Sequence, residues 1–230
     1  MMTIRKREVA RRIFAHEFNN STYKIQDEGE KSPVYVLTPL GLKCNRIFIV
    51  GALLEKEEAK PDSGIWRIRV SDPTGVFMGF VGRYQPEAFE SLLEIEPPEL
   101  VAITAKVRIF EGSRIMVFIR PESISTVTSD VRDYWVVETA KATIERIKRM
   151  KEGNEDAKLA KQIYSTDLEE YKNVVKQALL TIMEGFIEKA EETEIVDEEE
   201  EIEEEIEELE DIDEFEFEEE EWDLSELLED

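Results

Sequence analysis

The 230-residue chain predicts a mainly β fold with α additions: a small five-stranded barrel, helices before and after it, and an acidic C-terminal segment. Three observations predict this. Short apolar-alternating runs follow one another between residues 34 and 127, with turn residues between them. Helical spacing replaces the alternation after residue 130. Charge is also partitioned. Residues 1–153 hold 24 Lys+Arg against 22 Asp+Glu, a net of +2, whereas residues 154–230 hold 5 against 33, a net of −28. A salt-adapted surface would be acidic throughout, so the net charge of −26 describes a segment rather than the folded part.

Taken in order, residues 3–18 predict a short helix. Val9, Ala10, Ile13, Phe14 and Phe18 recur at helical spacing among Arg5, Lys6, Arg7, Arg11 and Arg12. Ile13 and Phe18 suit a plug for one end of a barrel, with the arginines left in water and phosphate contact open to Arg11 and Arg12. "FNNSTYKI" ends the helix. Strand character follows in "VYVLTP" (34–39), "NRIFIVGALLEKEE" (45–58), "IWRIRVS" (65–71) and "VFMGFVGRY" (76–84). A helix-like "PEAFESLLEI" precedes "LVAITAKVRIF" (100–110) and "RIMVFIRPESISTV" (114–127), which an "EGS" turn joins. Five core strands with a helix between the third and fourth fit the OB barrel.

Beyond the barrel, "DVRDYWVVETAKATIERIKRMKEG" places Tyr134, Val137, Ala140, Ile144, Ile147 and Met150 on one stripe, and Gly153 stops the helix. Lys141, Arg146, Lys148, Arg149 and Lys151 would keep the other faces soluble. The stripe suits either assembly with a partner helix or packing back onto the barrel. A further helix is expected to begin in "STDLEEYKNVV", where Thr166 and Glu169 have capping-box spacing. From residue 193 there are 38 residues, 24 acidic and none basic, a composition expected to be disordered. The expected organisation is an N-terminal basic helix (1–20), an OB-fold domain (21–128), an assembly helix (129–153), a helical segment (154–192) and the acidic tail (193–230).

The hairpin at 64–88 carries the functional signal. With "DPTG" as the turn and Ser71 opposite Val76, alternation puts Trp66, Ile68, Val70, Phe77 and Val81 on a core face. The opposite face holds Arg67 and Arg69 beside Met78 and Phe80, with Tyr84 in phase if the strand continues. Gly79 and Gly82 would leave gaps for another molecule's backbone. Cations among flat apolar groups suit single-stranded nucleic acid, whose bases stack on rings at ~1–3 kcal/mol each while arginine meets phosphate. Burial of Phe80 and Met78 under another element is the bland alternative, and a one-residue slip would exchange the faces. Arg114, at the start of the last strand, joins the candidate set.

Other chemistry lacks support. A single cysteine, Cys44, forms no intrachain disulfide framework and reads as a small core residue. With the single His16, it makes no multi-ligand Cys/His zinc site. His16 has no evident nucleophile partner, and no phosphate-binding Gly-rich loop with lysine is present. No catalytic residue, metal or cofactor is expected, and no membrane-spanning segment, signal peptide or membrane partner. The expected location is cytoplasmic and nucleoid-associated.

An ordered set of segments carries a family resemblance. "REVARRIFAHEFNNSTY", "NRIFIVGALLE", "WRIRVSDPTGVFMGFVGRYQPEA", "IEPPELVAITAKVRIFE", "IRPESISTV" and "RDYWVVETAKATIERI" together resemble the archaeal replication protein A subunit and associated-protein family, over roughly residues 5–180. The resemblance implies a non-enzymatic OB-fold subunit of a heteromeric single-stranded DNA-binding complex in replication, repair and recombination. It implies DNA-facing residues at odd offsets from Gly75, which are Met78, Phe80 and Tyr84. Gly82 departs from the pattern, standing where a second stacking aromatic occurs in tight-binding relatives. The resemblance also implies assembly with other subunits through the helix after the barrel, by way of Tyr134, Val137, Ala140, Ile144 and Ile147. In the acidic tail, Trp222, Leu224, Leu227 and Leu228 among carboxylates form a candidate recruitment segment for replication and repair proteins. Two rival readings remain: an assembly and recruitment subunit that scaffolds a larger DNA-binding subunit, and an RNA-binding OB protein, since stacking platforms accept both sugars.

Overall fold

Five strands close on one another in the computed structural model, which describes residues 8–26, 34–111 and 115–183. In chain order the elements are β1 (Arg11–Arg12), α1 (Ala15–Asn19), β2 (Tyr23–Gln26), β3 (Val34–Leu37), β4 (Lys43–Cys44), β5 (Arg46–Glu58), β6 (Ile65–Asp72) and β7 (Gly75–Gly82). Then come α2 (Pro86–Glu94), β8 (Glu99–Glu111), β9 (Ile115–Thr126), α3 (Ser129–Glu152), α4 (Glu155–Ile163) and α5 (Leu168–Met183). The barrel runs β5-β6-β7-β9-β8 and closes through an antiparallel β5–β8 pairing. Its β7–β9 pairing is parallel, and α2 lies between the third and fourth barrel strands in sequence. That is the OB topology.

Closure demands that β5 serve two neighbours, β6 and β8. Gly51 makes this possible. A Cβ there would come 2.2 Å from the Ser71 carbonyl oxygen, so only glycine allows the two backbones this close. The interior is apolar, with Ile47, Ile49, Leu53, Ile68, Val70, Phe77, Ile103 and Ile119 all buried. In α2, Pro86 starts the helix and Ala88 and Leu92 are buried.

The N-terminal segment corrects the expected helix. Among the described residues only Ala15–Asn19 is helical, and Arg11–Arg12 is a strand pairing in parallel with Ile47 and Phe48 of β5. A sheet edge offering backbone hydrogen bonds overrides weak helical periodicity. The expected plug is present, since Ile13, Phe14 and Phe18 are buried and Phe18 packs on Phe77 at 5.3 Å between ring centroids.

A second, smaller sheet runs β2-β3-β4, and only its β3 portion was expected as strand. It packs with α3, α4 and α5 around Leu37, Leu40, Ile147, Met150, Ala157, Ala160 and Tyr171. Tyr164 stitches this layer together, its hydroxyl donating to the Leu37 carbonyl (2.7 Å) and accepting from the Tyr23 N–H (2.8 Å). Gly153 ends α3 in the left-handed conformation (φ 77°), as its position predicts. Asn154 then caps α4 through the Ala157 N–H at 2.8 Å, so the chain restarts a helix at once. At α5 the expected capping role of Thr166 is corrected. Its hydroxyl donates to the Pro39 carbonyl, and Asp167 accepts from the Glu169 N–H instead.

The α3 stripe is rotated from its expected face. Its buried side holds Trp135, Val136 and Ala140 in the barrel core, Ile147 and Met150 in the core of the smaller sheet, and the polar Thr139, Thr143 and Arg146. Trp135 donates from Nε1 to the Phe48 carbonyl at 3.0 Å and meets Phe14 edge-on. Of the six stripe residues, Ala140, Ile147 and Met150 are therefore buried within the chain. Val137 is half-buried, and Tyr134 (63%) and Ile144 (41%) stay exposed. Arg146, expected in solvent, is buried against Glu17 (2.7 Å), whose other oxygen accepts from the Thr38 hydroxyl.

Candidate nucleic-acid interface

The β6–β7 hairpin has the expected register. Ser71 pairs with Val76, Arg69 with Met78, Arg67 with Phe80 and Trp66 with Val81. The turn is built by Asp72, whose Oδ1 accepts from the Thr74 N–H (2.7 Å) and hydroxyl (2.8 Å). Its Oδ2 accepts from the Ala15 N–H (2.8 Å), tying the hairpin to α1. Burial pushes the Asp72 carboxyl up to about 6 against these donors. Gly75 closes the turn at φ 151°, a conformation that favours glycine.

The fixed register fixes the faces. Ile68, Val70, Phe77 and Val81 point into the barrel, and Trp66 is half-buried against the core. Arg67, Arg69, Met78 and Phe80 lie on the outer face, all half-buried. Gly79 is a correction. It faces inward, where a Cβ would come 2.6 Å from Ile119 Cγ1, so it permits close packing of β7 on β9 rather than an external gap. Gly82 does lie on the outer face, where an added Cβ meets only ordinary contacts at 3.6 Å.

Two features could not be read from the hairpin alone. Both arginines are already engaged by β5. Glu57 pairs with Arg67 across the strands, and Glu55 with Arg69 at 3.3 Å. Only 14% and 12% of the two arginine side chains is exposed, and the Nε of each has no hydrogen-bond acceptor among the described residues. The second feature is Phe118 of β9, which meets Phe80 edge-on at 5.4 Å. Strand alternation places Met116, Phe118 and Arg120 outward with Lys106, Arg108 and Phe110 of β8, since Val107, Val117 and Ile119 between them are buried. The signal was available in "IMVFIRP", whose inward and outward residues alternate as strictly as those of β7.

Tyr84 departs from expectation. β7 stops at Gly82, and Tyr84 sits 45% exposed in the following turn, with the Arg83 guanidinium 5.2 Å over its ring. Arg114 and the tail residues Trp222, Leu224, Leu227 and Leu228 lie outside the described residues. His16 is packed edge-on to Tyr171, with its Nε2 3.1 Å from a Glu170 carboxylate oxygen. Cys44 is buried, and burial pushes its thiol up to about 12. Among the described residues, no group of three or more His, Cys, Asp or Glu side chains is placed to hold a metal ion. None of the described helices is long and apolar enough to cross a membrane.

No family model matches the chain, and no curated protein matches it. Solved structures do resemble it. A chain from a replication protein A heterotrimer bound to ssDNA is 12% identical, with a TM-score of 0.44 over 60% of this chain and 98% of that one. The Saccharomyces cerevisiae mitochondrial single-stranded DNA-binding protein Rim1 is 18% identical, with a TM-score of 0.30 over 36% of this chain and 94% of that one. OBody NL8, bound to hen egg-white lysozyme, is 16% identical, with a TM-score of 0.32 over 38% of this chain and 98% of that one. Likeness of this degree carries no argument about ligands, and the OB assignment rests on the strand order itself.

Proposed function

We propose that the chain is a non-enzymatic single-stranded DNA-binding OB subunit of an archaeal replication protein A-type complex serving replication, repair and recombination. One observation carries the reading: the Phe80–Phe118 ring pair beside Met78, on a barrel face that also bears Arg67 and Arg69. Rings with an edge-on partner keep their orientation and offer a flat surface to unstacked bases. The neighbouring guanidiniums place positive charge on the same face, where phosphates would run.

The test is a fluorescence-anisotropy titration of the full chain with oligo-dT, oligo-U and duplex, with Phe80→Ala and Arg67→Ala alongside. Loss of one stacking contact should weaken oligo-dT binding by roughly 5- to 150-fold. Tighter binding to oligo-U than to oligo-dT would move the reading to RNA.

A second reading is favoured by the Glu55 and Glu57 pairings. They neutralise the face that phosphates would approach, while Tyr134 and Ile144 remain exposed on α3. In that reading the chain is an assembly and recruitment subunit holding a larger DNA-binding partner, with Trp222 and Leu224 to Leu228 as the recruitment segment. Absence of oligo-dT binding at low salt, together with stable capture of a partner OB subunit, would support it.

A further inference from the structure

The helical layer carries a groove that nucleic-acid binding does not use. It lies between α3 and α5, with a volume of about 540 Å³. Its floor is aliphatic, formed by Ile144 and Ile147 of α3 with Val175, Leu179 and Leu180 of α5. Four lysines border it. Lys148 and Lys151 stand three residues apart on α3, and Lys172 and Lys176 four apart on α5, so each helix supplies one cationic rail. Lys172 pairs with Glu169 of its own helix, whereas Lys148, Lys151 and Lys176 make no ion pair among the described residues.

We propose that this groove docks an acidic amphipathic helix of a partner protein, seated by an apolar stripe on the floor and by carboxylates on both flanks. The chemistry selects this occupant. Among the described residues the lining contains no aromatic ring, so bases would find no stacking surface there and phosphates would have to supply binding. A single-headgroup lipid calls for cations gathered at one end, not along two sides. The distance along α3 from Ile144 to Lys151 is about 10 Å, close to two helical turns. An apolar i, i+3/i+4, i+7 stripe covers that length, and glutamates beside the stripe reach the two rails. The proposal is independent of the outer barrel face, because no groove residue lies on β6, β7 or β9.

Anisotropy of a labelled synthetic helix, with a leucine stripe flanked by glutamates, tests this on the full chain. A peptide of the same composition in scrambled order, oligo-dT and phosphatidylglycerol vesicles serve as controls. The combined substitutions Lys148→Glu and Lys176→Glu reverse two rim charges and should weaken the helix by about tenfold without shifting thermal unfolding. Ile144→Glu, at an exposed floor position, should weaken it comparably, and oligo-dT binding should not change with either variant. Equal binding of the scrambled peptide overturns the proposal, as does helix binding indifferent to the variants. Oligo-dT or vesicle binding that falls in step with the lysine reversal reassigns the groove and also overturns it. A helix bound only when Trp222, Leu224, Leu227 and Leu228 are replaced by serine would assign the groove to the chain's own acidic segment instead. Absence of helix binding in every form ends the idea.

Discussion

Arginine meets glutamate in two settings in this protein, and the settings give the same pair opposite meanings. Glu17 and Arg146 lie 1% and 8% exposed by side chain, 129 residues apart in sequence, and every described oxygen of Glu17 has a donor. Arg67 and Arg69 meet Glu57 and Glu55 on an outer sheet face, with 44% and 41% of the glutamate side chains in water. The buried pair fixes α1 against α3, because a charge stranded there has no solvent to recover. In the outer pairs the glutamates keep contact with water, so they can leave without being stranded, and under the proposed function a phosphate would take their place. Ion-pair chemistry alone distinguishes neither role. Access to water does.

The largest effect should come from breaking the buried pair. Glu17→Ala leaves Arg146 charged and enclosed, and should lower unfolding stability by about 3–5 kcal/mol in urea titrations. A loss below about 1 kcal/mol would show that Arg146 reaches solvent after all. Glu57→Gln in the same assay should stay within about 1 kcal/mol of the wild type.

Asp72 sharpens the contrast as a buried carboxylate held by N–H and O–H donors. Its folded value is raised to about 6, so the folded state holds the proton more tightly than the unfolded state. The resulting stabilisation is present in full below the unfolded value and is lost as pH rises from about 4 to about 6. Stability of the wild type relative to Asp72→Asn should therefore fall across that window, by up to roughly 3 kcal/mol. A flat difference between the two proteins over the window would contradict the buried assignment.

Smaller still are the effects on ligand. Phe118→Ala should weaken oligo-dT as Phe80→Ala does, and the double variant should lose less than the sum, because the rings support each other at 5.4 Å. Full additivity would mean that the rings serve separate bases. Last, Glu55→Gln with Glu57→Gln should release the arginines, raise oligo-dT affinity a few-fold and steepen its salt dependence. Unchanged affinity would indicate that phosphates never reach Arg67 or Arg69.

The hairpin was legible because its evidence is local. "SDPTG" sets the turn, the turn sets the register, and strict alternation then assigns Phe77 inward and Phe80 outward. Phe118 was equally legible by alternation. Its meeting with Phe80 was not, since that depends on the parallel β7–β9 pairing. The arginines' partners come from β5, 10 and 14 residues upstream, and only cross-strand register decides that Glu57 and Glu55 face them. On α3 the apolar stripe was read about one residue out of phase, because Trp135 and Val136 stand beside Tyr134 and Val137 and periodicity alone ranks neither pair inside. Burial of Arg146 on that face depends on Glu17, which no local pattern connects to it.

What the sequence determined by itself was the five barrel strands, the hairpin's two faces and the stop at Gly153, because alternation, turn chemistry and a left-handed glycine act over a few residues. Tertiary structure alone decided which charges are satisfied, which ring meets which, and that two helices leave a lysine-bordered trough between them. Those outcomes depend on surfaces brought together from distant parts of the chain, where burial and register set the energy of each contact.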